Sequence, residues 1–90
     1  MIICRSPQEI AKIRVSAQLA AAALQHIAPM LQGGVTTAEL DRAAEQYIRK
    51  AGGLPAFKGY RGFPATLCTS INAEVVHGIP SKKRKLAEGD

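Results

Sequence analysis

Residues 59–80 read GYRGFPATLCTSINAEVVHGIP, from Gly59 to Pro80. Thr66 to Ile71 alternates: Leu67, Thr69 and Ile71 share one face, and Thr66, Cys68 and Ser70 share the other, the pattern of a strand with two distinct sides. Asn72-Ala73 suits a tight turn, and Glu74 to His77 then returns antiparallel until Gly78 and Pro80 stop it. The predicted hairpin carries Cys68 and His77 toward Tyr60 and Phe63, which sit in the glycine-rich loop before it. A histidine beside a small apolar and aromatic cluster is the chemical content of the chain.

Two helices precede this stretch. Ser6-Pro7-Gln8-Glu9 is a start signal: Ser6 caps, Pro7 suits the first helical position, and Glu9 stands where a capping box needs it. Ile10, Ile13, Ala17, Ala20, Leu24, Ile27 and Leu31 then recur at steps of three and four, one stripe along a helix. Pro29 ends or kinks that helix near Ala28, and Gly33-Gly34 closes the segment. His26 has no ligand partner at i±3 or i±4 and reads as a surface or boundary residue. A second capping box, Thr36 with Glu39, and a staple of Val35 with Leu40 open a helix running to about Ala51. It buries Leu40, Ala44, Tyr47, Ile48 and Ala51, pairs Glu45 with Arg49 on its exposed face, and stops at Gly52-Gly53. Leu54 to Lys58 is a short approach or edge strand. The fold class is α+β, two helices packed on an antiparallel β-hairpin or sheet.

Composition limits what such a chain does alone. Ninety residues make at most one small domain. The chain is 47% hydrophobic, but 15 of those residues are alanines and none is tryptophan, so little area is available for a core. A lone hairpin is marginal in water. Residues 1–90 therefore suit part of a larger domain, incomplete as given. Net charge is +5, much of it from the run Lys82, Lys83, Arg84 and Lys85; such a run reads as a solvated loop or a phosphate-facing patch. Cys4 and Cys68 do not make a disulfide framework. No apolar run is long enough for a bilayer and Met1 to Cys4 lacks the features of a signal peptide, so the expectation is a cytoplasmic protein without a membrane segment. The seven carboxylates, Glu9, Glu39, Asp41, Glu45, Glu74, Glu88 and Asp90, include no pair at ligand spacing with a histidine. No metal site is read from these residues.

The ordered motifs Gly-Tyr-x-Gly-Phe-Pro, Cys-Thr-Ser-Ile-Asn and Val-Val-His-Gly-Ile-Pro, with the helices before them, resemble the type I methionine aminopeptidases. These are two-metal hydrolases of the pita-bread fold that remove the initiator methionine from nascent chains. The resemblance covers almost the whole chain but only the first third or so of such an enzyme. It implies that residues 1–90 are the N-terminal portion of a pita-bread domain. It implies that His77 is the histidine that contacts substrate during peptide cleavage, and that Tyr60, Phe63 and Cys68, with Phe57 at the rim, line the pocket for the methionine side chain. An unbranched, polarizable thioether suits such a pocket. A neutral imidazole can donate to the scissile amide or to a developing oxyanion; taken alone, His77 also fits a structural histidine bonded to a backbone carbonyl. Asn72 and Glu74 match a turn that binds a monovalent cation in some relatives. Arg61 stands where some members carry a histidine, and it stays protonated, so acid–base work is not assigned to it.

The same resemblance places the family's metal ligands beyond the turn matched by Leu86-Ala87-Glu88-Gly89-Asp90. The two divalent ions of a complete enzyme (Co, Mn, Fe, Zn or Ni) are then held elsewhere, and the ninety residues alone are inactive. Implied partners are N-terminal Met peptides of nascent chains and, through Lys82, Lys83, Arg84 and Lys85, the ribosome; the complete protein is expected to be a monomer. A different class stays open: a non-catalytic pita-bread relative or truncated paralogue that binds ribosomal RNA or a protein partner through the basic run. So does a small α+β domain with no chemistry, whose histidine is structural.

Overall fold

The computed structural model describes all residues, 1–90. In order it contains helix α1 (Pro7–Ile27), a 3-10 turn (Ala28–Met30), helix α2 (Thr37–Lys50) and an irregular second half with one further 3-10 turn, Tyr60–Gly62. Both helices begin as their caps dictate. The Ser6 hydroxyl accepts from the Glu9 amide at 3.1 Å while the Glu9 carboxylate accepts from the Ser6 amide at 2.9 Å. Thr36 and Glu39 repeat the exchange at 3.1 and 2.8 Å, so each box satisfies two amides that the helix leaves free. Pro29 has no amide to continue α1, which passes into the 3-10 turn after Ile27. At the end of α2, Gly52 takes a φ of +88°. The Gly52 and Gly53 amides reach back to the Arg49 and Ile48 carbonyls at 3.0 and 2.9 Å, a Schellman closure.

The core sits where the helices cross. Ile27, Leu40 and Ala44 are buried together, with Met30, Val35, Ala43, Leu67 and Leu86 packed around them; the contact of Val35 with this cluster is the staple expected at the entry to α2. His26 stays exposed and stacks on Tyr47 with ring centroids 4.6 Å apart. The long stripe of α1 is not covered as its periodicity predicts. Only Ile27 of that set is buried, while Ile10, Ile13, Leu24 and Leu31 are exposed. For Ile10 and Ile13 the reason is length: at about 1.5 Å per residue, the 14 residues of α2 cannot line the 21 of α1; Leu24 and Leu31 instead line an open groove beside Ile27.

The predicted hairpin is corrected. Residues 1–90 contain no strand, only an isolated antiparallel bridge between Thr36 and Lys85. The chain does reverse at Ile71–Glu74, where the Glu74 amide donates to the Ile71 carbonyl at 3.1 Å and Asn72 adopts φ +54°. One backbone hydrogen bond joins the two arms, Thr69 N–H to Gly78 C=O at 2.8 Å. The Gly78 amide turns instead to the Ser70 hydroxyl at 3.0 Å. His77 stands in the left-handed region, φ +58°, which ends the extended run before a ladder can form. Leu54 to Lys58 is likewise not a strand.

The pairing that does occur was not foreseen. Gly34 N–H donates to Leu86 C=O at 2.7 Å, Leu86 N–H to Val35 C=O at 2.8 Å and Thr37 N–H to Arg84 C=O at 2.9 Å. Thr37, buried at the start of α2, exchanges hydrogen bonds with the Ser81 backbone through its hydroxyl. The basic run is thus tied to the α2 N-terminus rather than looping free. No helix is long and apolar enough to cross a membrane.

Candidate functional site

The segment 57–63 folds back on itself because the Gly59 amide donates to the Phe63 carbonyl at 2.7 Å and the Tyr60 amide to the Phe57 carbonyl at 3.1 Å. This brings three aromatic rings together. Phe57 is the centre: its ring centroid lies 5.8 Å from that of Tyr60, 4.9 Å from that of Phe63 and 5.6 Å from the imidazole of His77. The four side chains, with Arg61, Pro64 and Ile79, wall an open hollow of about 600 Å³. The Arg61 guanidinium stands over the Tyr60 ring, 5.2 Å from its centroid, a cation–π contact.

His77 and Arg61 both reach this hollow from left-handed backbone, φ +58° and +48°. Non-glycine residues occupy that region at a cost and persist where the surroundings over-determine them. At His77 the constraint is its neighbour. A Cβ on Gly78 would stand 2.1 Å from the Thr69 carbonyl oxygen, so the backbone there lies directly against the Thr69–Ser70 peptide. Gly78 is buried while His77 remains exposed toward the hollow.

Four of the five residues expected to form the site are therefore brought together: Phe57, Tyr60, Phe63 and His77. Cys68 is not. It is exposed and lines a separate groove of about 310 Å³ with Leu24, Ile27, Leu40 and Asn72 among others. Phe57, which the sequence set at the rim, is the ring that touches the other three.

Two carboxylates of α2 anchor the chain on either side of the aromatic segment, and the sequence signalled only the Glu45–Arg49 part of this arrangement. Asp41 accepts the Thr66 and Leu67 amides at 2.9 and 2.6 Å. Glu45 does pair with Arg49 at 3.0 Å, but its other oxygen takes the Lys58 ammonium at 2.7 Å and the Thr66 hydroxyl at 3.0 Å. Lys58 and Arg49 hold the Glu45 carboxyl at about 2, well below its ordinary 4.5. Lys58 and Thr66 lie 13 and 21 positions from Glu45, which is why the i,i+4 pair with Arg49 alone was visible.

A metal pair finds no donor set here. Glu9 and Glu39 serve the caps, Asp41 and Glu45 serve the loop, Glu74 pairs with Arg84 at 2.7 Å, and Asp90 takes the Ala87 amide and the Asn72 side chain. No three His, Cys, Asp or Glu side chains stand close enough to share an ion.

Known proteins place the chain. Residues 11–90 match the model of metallopeptidase family M24. The chain is 51% identical over its whole length to a methionine aminopeptidase of Clostridium acetobutylicum, of which it covers 36%. It is 52% identical over 85 residues, 94% of the chain, to methionine aminopeptidase A of Synechocystis, of which it covers 34%. Its backbone follows a crystal structure of methionine aminopeptidase from Rickettsia prowazekii with a TM-score of 0.94 at 38% identity, and one from Thermotoga maritima with 0.95 at 36%; each match takes in the whole chain and 36% of the solved one. The chain thus spans about a third of the length of the relatives it matches. Motif order, backbone and family match agree: the chain belongs to metallopeptidase family M24.

Proposed function

We propose that residues 1–90 are part of the pita-bread domain of a methionyl aminopeptidase and build its methionine-binding hollow, with His77 as the substrate-contacting histidine. One observation carries the reading: three aromatic rings and an imidazole converge on a single hollow. Tyr60, Phe63 and Phe57 offer ring edges and faces to an apolar, unbranched thioether. His77, exposed at the same wall, can donate from a ring nitrogen to the scissile amide or to the oxygen that gains charge during attack. The divalent ions of such an enzyme activate water and polarise the carbonyl; their ligands belong to the portion of the fold that this chain does not span. The substrates are peptides with N-terminal methionine, of the kind nascent chains present. Cys68 faces another groove and has no part in this reading.

The test uses the full-length protein carrying this segment. His77→Ala lowers kcat on a Met-Ala-Ser peptide by about 10²–10³, the size of one lost oxyanion-type donor, and Phe57→Ala raises KM. The ninety residues alone, with Co²⁺ or Mn²⁺, give no turnover. An unchanged kcat for His77→Ala removes the histidine from the chemistry, and robust turnover by the short chain refutes the division of labour.

A second reading rests on the basic run. Arg84 is engaged by Glu74, but Lys82, Lys83 and Lys85 form no ion pair. Three unpaired ammonium groups on a pinned segment suit ribosomal RNA, whose binding would weaken steeply with salt. A salt titration with ribosomal RNA that shows no such dependence dismisses it.

A further inference from the structure

We infer that Asp41 and Glu45 of α2 are positioning residues for the hollow: they close the loop that carries Phe57, Tyr60 and Phe63, and so set its width against His77. The inference deepens the proposed function and rests on it, since it assigns a substrate-binding consequence to two carboxylates that touch no substrate.

The two residues stand four apart on one face of α2, one helical turn from each other. Glu45 grips both ends of the aromatic loop with a single oxygen. Lys58, beside Phe57, reaches it at 2.7 Å from one end, and the Thr66 hydroxyl, three residues after Phe63, at 3.0 Å from the other. Asp41 accepts the Thr66 and Leu67 amides at 2.9 and 2.6 Å, so Thr66 is bound through both backbone and side chain and Leu67 through its backbone. Hydrogen bonds to ionised acceptors are the strong kind, and these two acceptors ride on a capped helix whose Leu40 and Ala44 lie in the core. The loop itself has little else to hold it. Its internal bonds close the turn at Gly59 and Phe63 but do not tie that turn to a helix, and Tyr60 is 51% exposed. Residues 58 and 66 are therefore the hinges of the aromatic wall, and α2 holds both.

A ring displaced by an ångström changes the fit of a side chain without altering the reacting atoms. Loosening the clamp should then weaken ground-state and transition-state binding alike, which raises KM and spares kcat. It should also blunt selectivity, letting bulkier N-terminal residues compete.

The experiment measures kcat and KM for Met-Ala-Ser and Leu-Ala-Ser peptides, with the thermal midpoint, on the full-length protein and its variants. Asp41→Ala and Glu45→Ala are expected to raise KM for the Met peptide by about tenfold with kcat within about twofold, and to narrow the preference for Met over Leu. Asp41→Asn, which keeps an oxygen for the two amides, restores most of the affinity. Lys58→Met and Thr66→Val each remove one contact to Glu45 at a partly exposed position, and each raises KM by about threefold even if the alanine variants do not fold. Phe57→Ala separates the two ideas. If it raises KM while none of the clamp variants does, the positioning role is overturned and the hollow stands. If Phe57→Ala itself leaves KM unchanged, the hollow is not the methionine site. A fall in thermal midpoint with KM and selectivity untouched marks the carboxylates as merely structural and overturns the inference.

Discussion

At Gly78 the absence of a side chain decides where the neighbouring His77 can stand. Backbone faces backbone there: a Cβ would lie 2.1 Å from the Thr69 carbonyl oxygen and 2.6 Å from its carbon. No rotamer change relieves such a contact, so Gly78→Ala must push the His77 segment off Thr69 or break the Thr69–Gly78 hydrogen bond. Overpacking of this kind costs about 1–3 kcal/mol, and here the displacement falls on a histidine already held at φ +58°. In the full-length protein Gly78→Ala is expected to lower the thermal midpoint and to cut kcat on a Met peptide nearly as far as His77→Ala does. A variant with normal kcat would mean that His77 keeps its place without Gly78, and that strain at this corner has no bearing on the reaction. The four-residue cluster was largely legible in the sequence, since Tyr60 and Phe63 lie in one of the ordered motifs that carry the family resemblance and His77 in another. The left-handed backbone at Arg61 and His77 was not, because nothing in those residue types asks for it.

At the scale of elements, what could be read followed the range of the interactions. Both capping boxes, Pro29 and the Gly52-Gly53 stop act within four or five residues, and both helices begin and end at those signals. The hairpin required pairing between arms, and the alternation of Thr66 to Ile71 could not reveal that His77 would leave the extended region. The clamp on α2 was hidden for the same reason: Asp41 to Thr66 and Glu45 to Lys58 span 25 and 13 positions. That clamp has a pH signature. The Glu45 carboxyl is held at about 2 against an ordinary 4.5, a depressed value, so its stabilisation is complete above the unfolded value and lost as pH falls through the folded one. In the full-length protein an acid titration of the thermal midpoint should therefore show the Glu45 link intact at pH 5 and disappearing between about 4.5 and 2. Glu45→Gln, destabilised from the start, should lose less over that interval. Glu9, Glu74 and Asp90 are also depressed by their hydrogen bonds and supply acid loss common to both proteins. Parallel titration curves for wild type and Glu45→Gln would show that the Lys58 and Arg49 contacts contribute nothing.

Over the whole molecule, surface area and shape point to faces that need covering. A compact monomer of 9.6 kDa is expected to expose about 5,100 Å², whereas this chain exposes 6876 Å². Its radius of gyration is 15.0 Å, against about 12 Å for a globule of this length. Only 7 of 90 residues are buried, too few to offset the entropy of ordering the chain. Large apolar side chains stand exposed in several places, among them the face of α1 and the turn after it, with Ile10, Ile13, Leu24 and Leu31, and the arm beside the hollow, with Val75, Val76 and Ile79. In relatives nearly three times as long, more chain is present to lie against such faces, and the arms at residues 66–71 and 74–77 would find neighbours with which to form ladders. The ninety residues by themselves are then expected to keep helical far-UV circular dichroism, since the caps are local, yet to bind a hydrophobic dye such as ANS at neutral pH and to melt over a broad range without a cooperative step. The full-length protein should exclude the dye and unfold sharply. If the short chain alone melts cooperatively and leaves the dye unbound, its exposed stripe is an ordinary surface, and the proposal that these residues are one part of a larger hydrolase domain loses its physical basis.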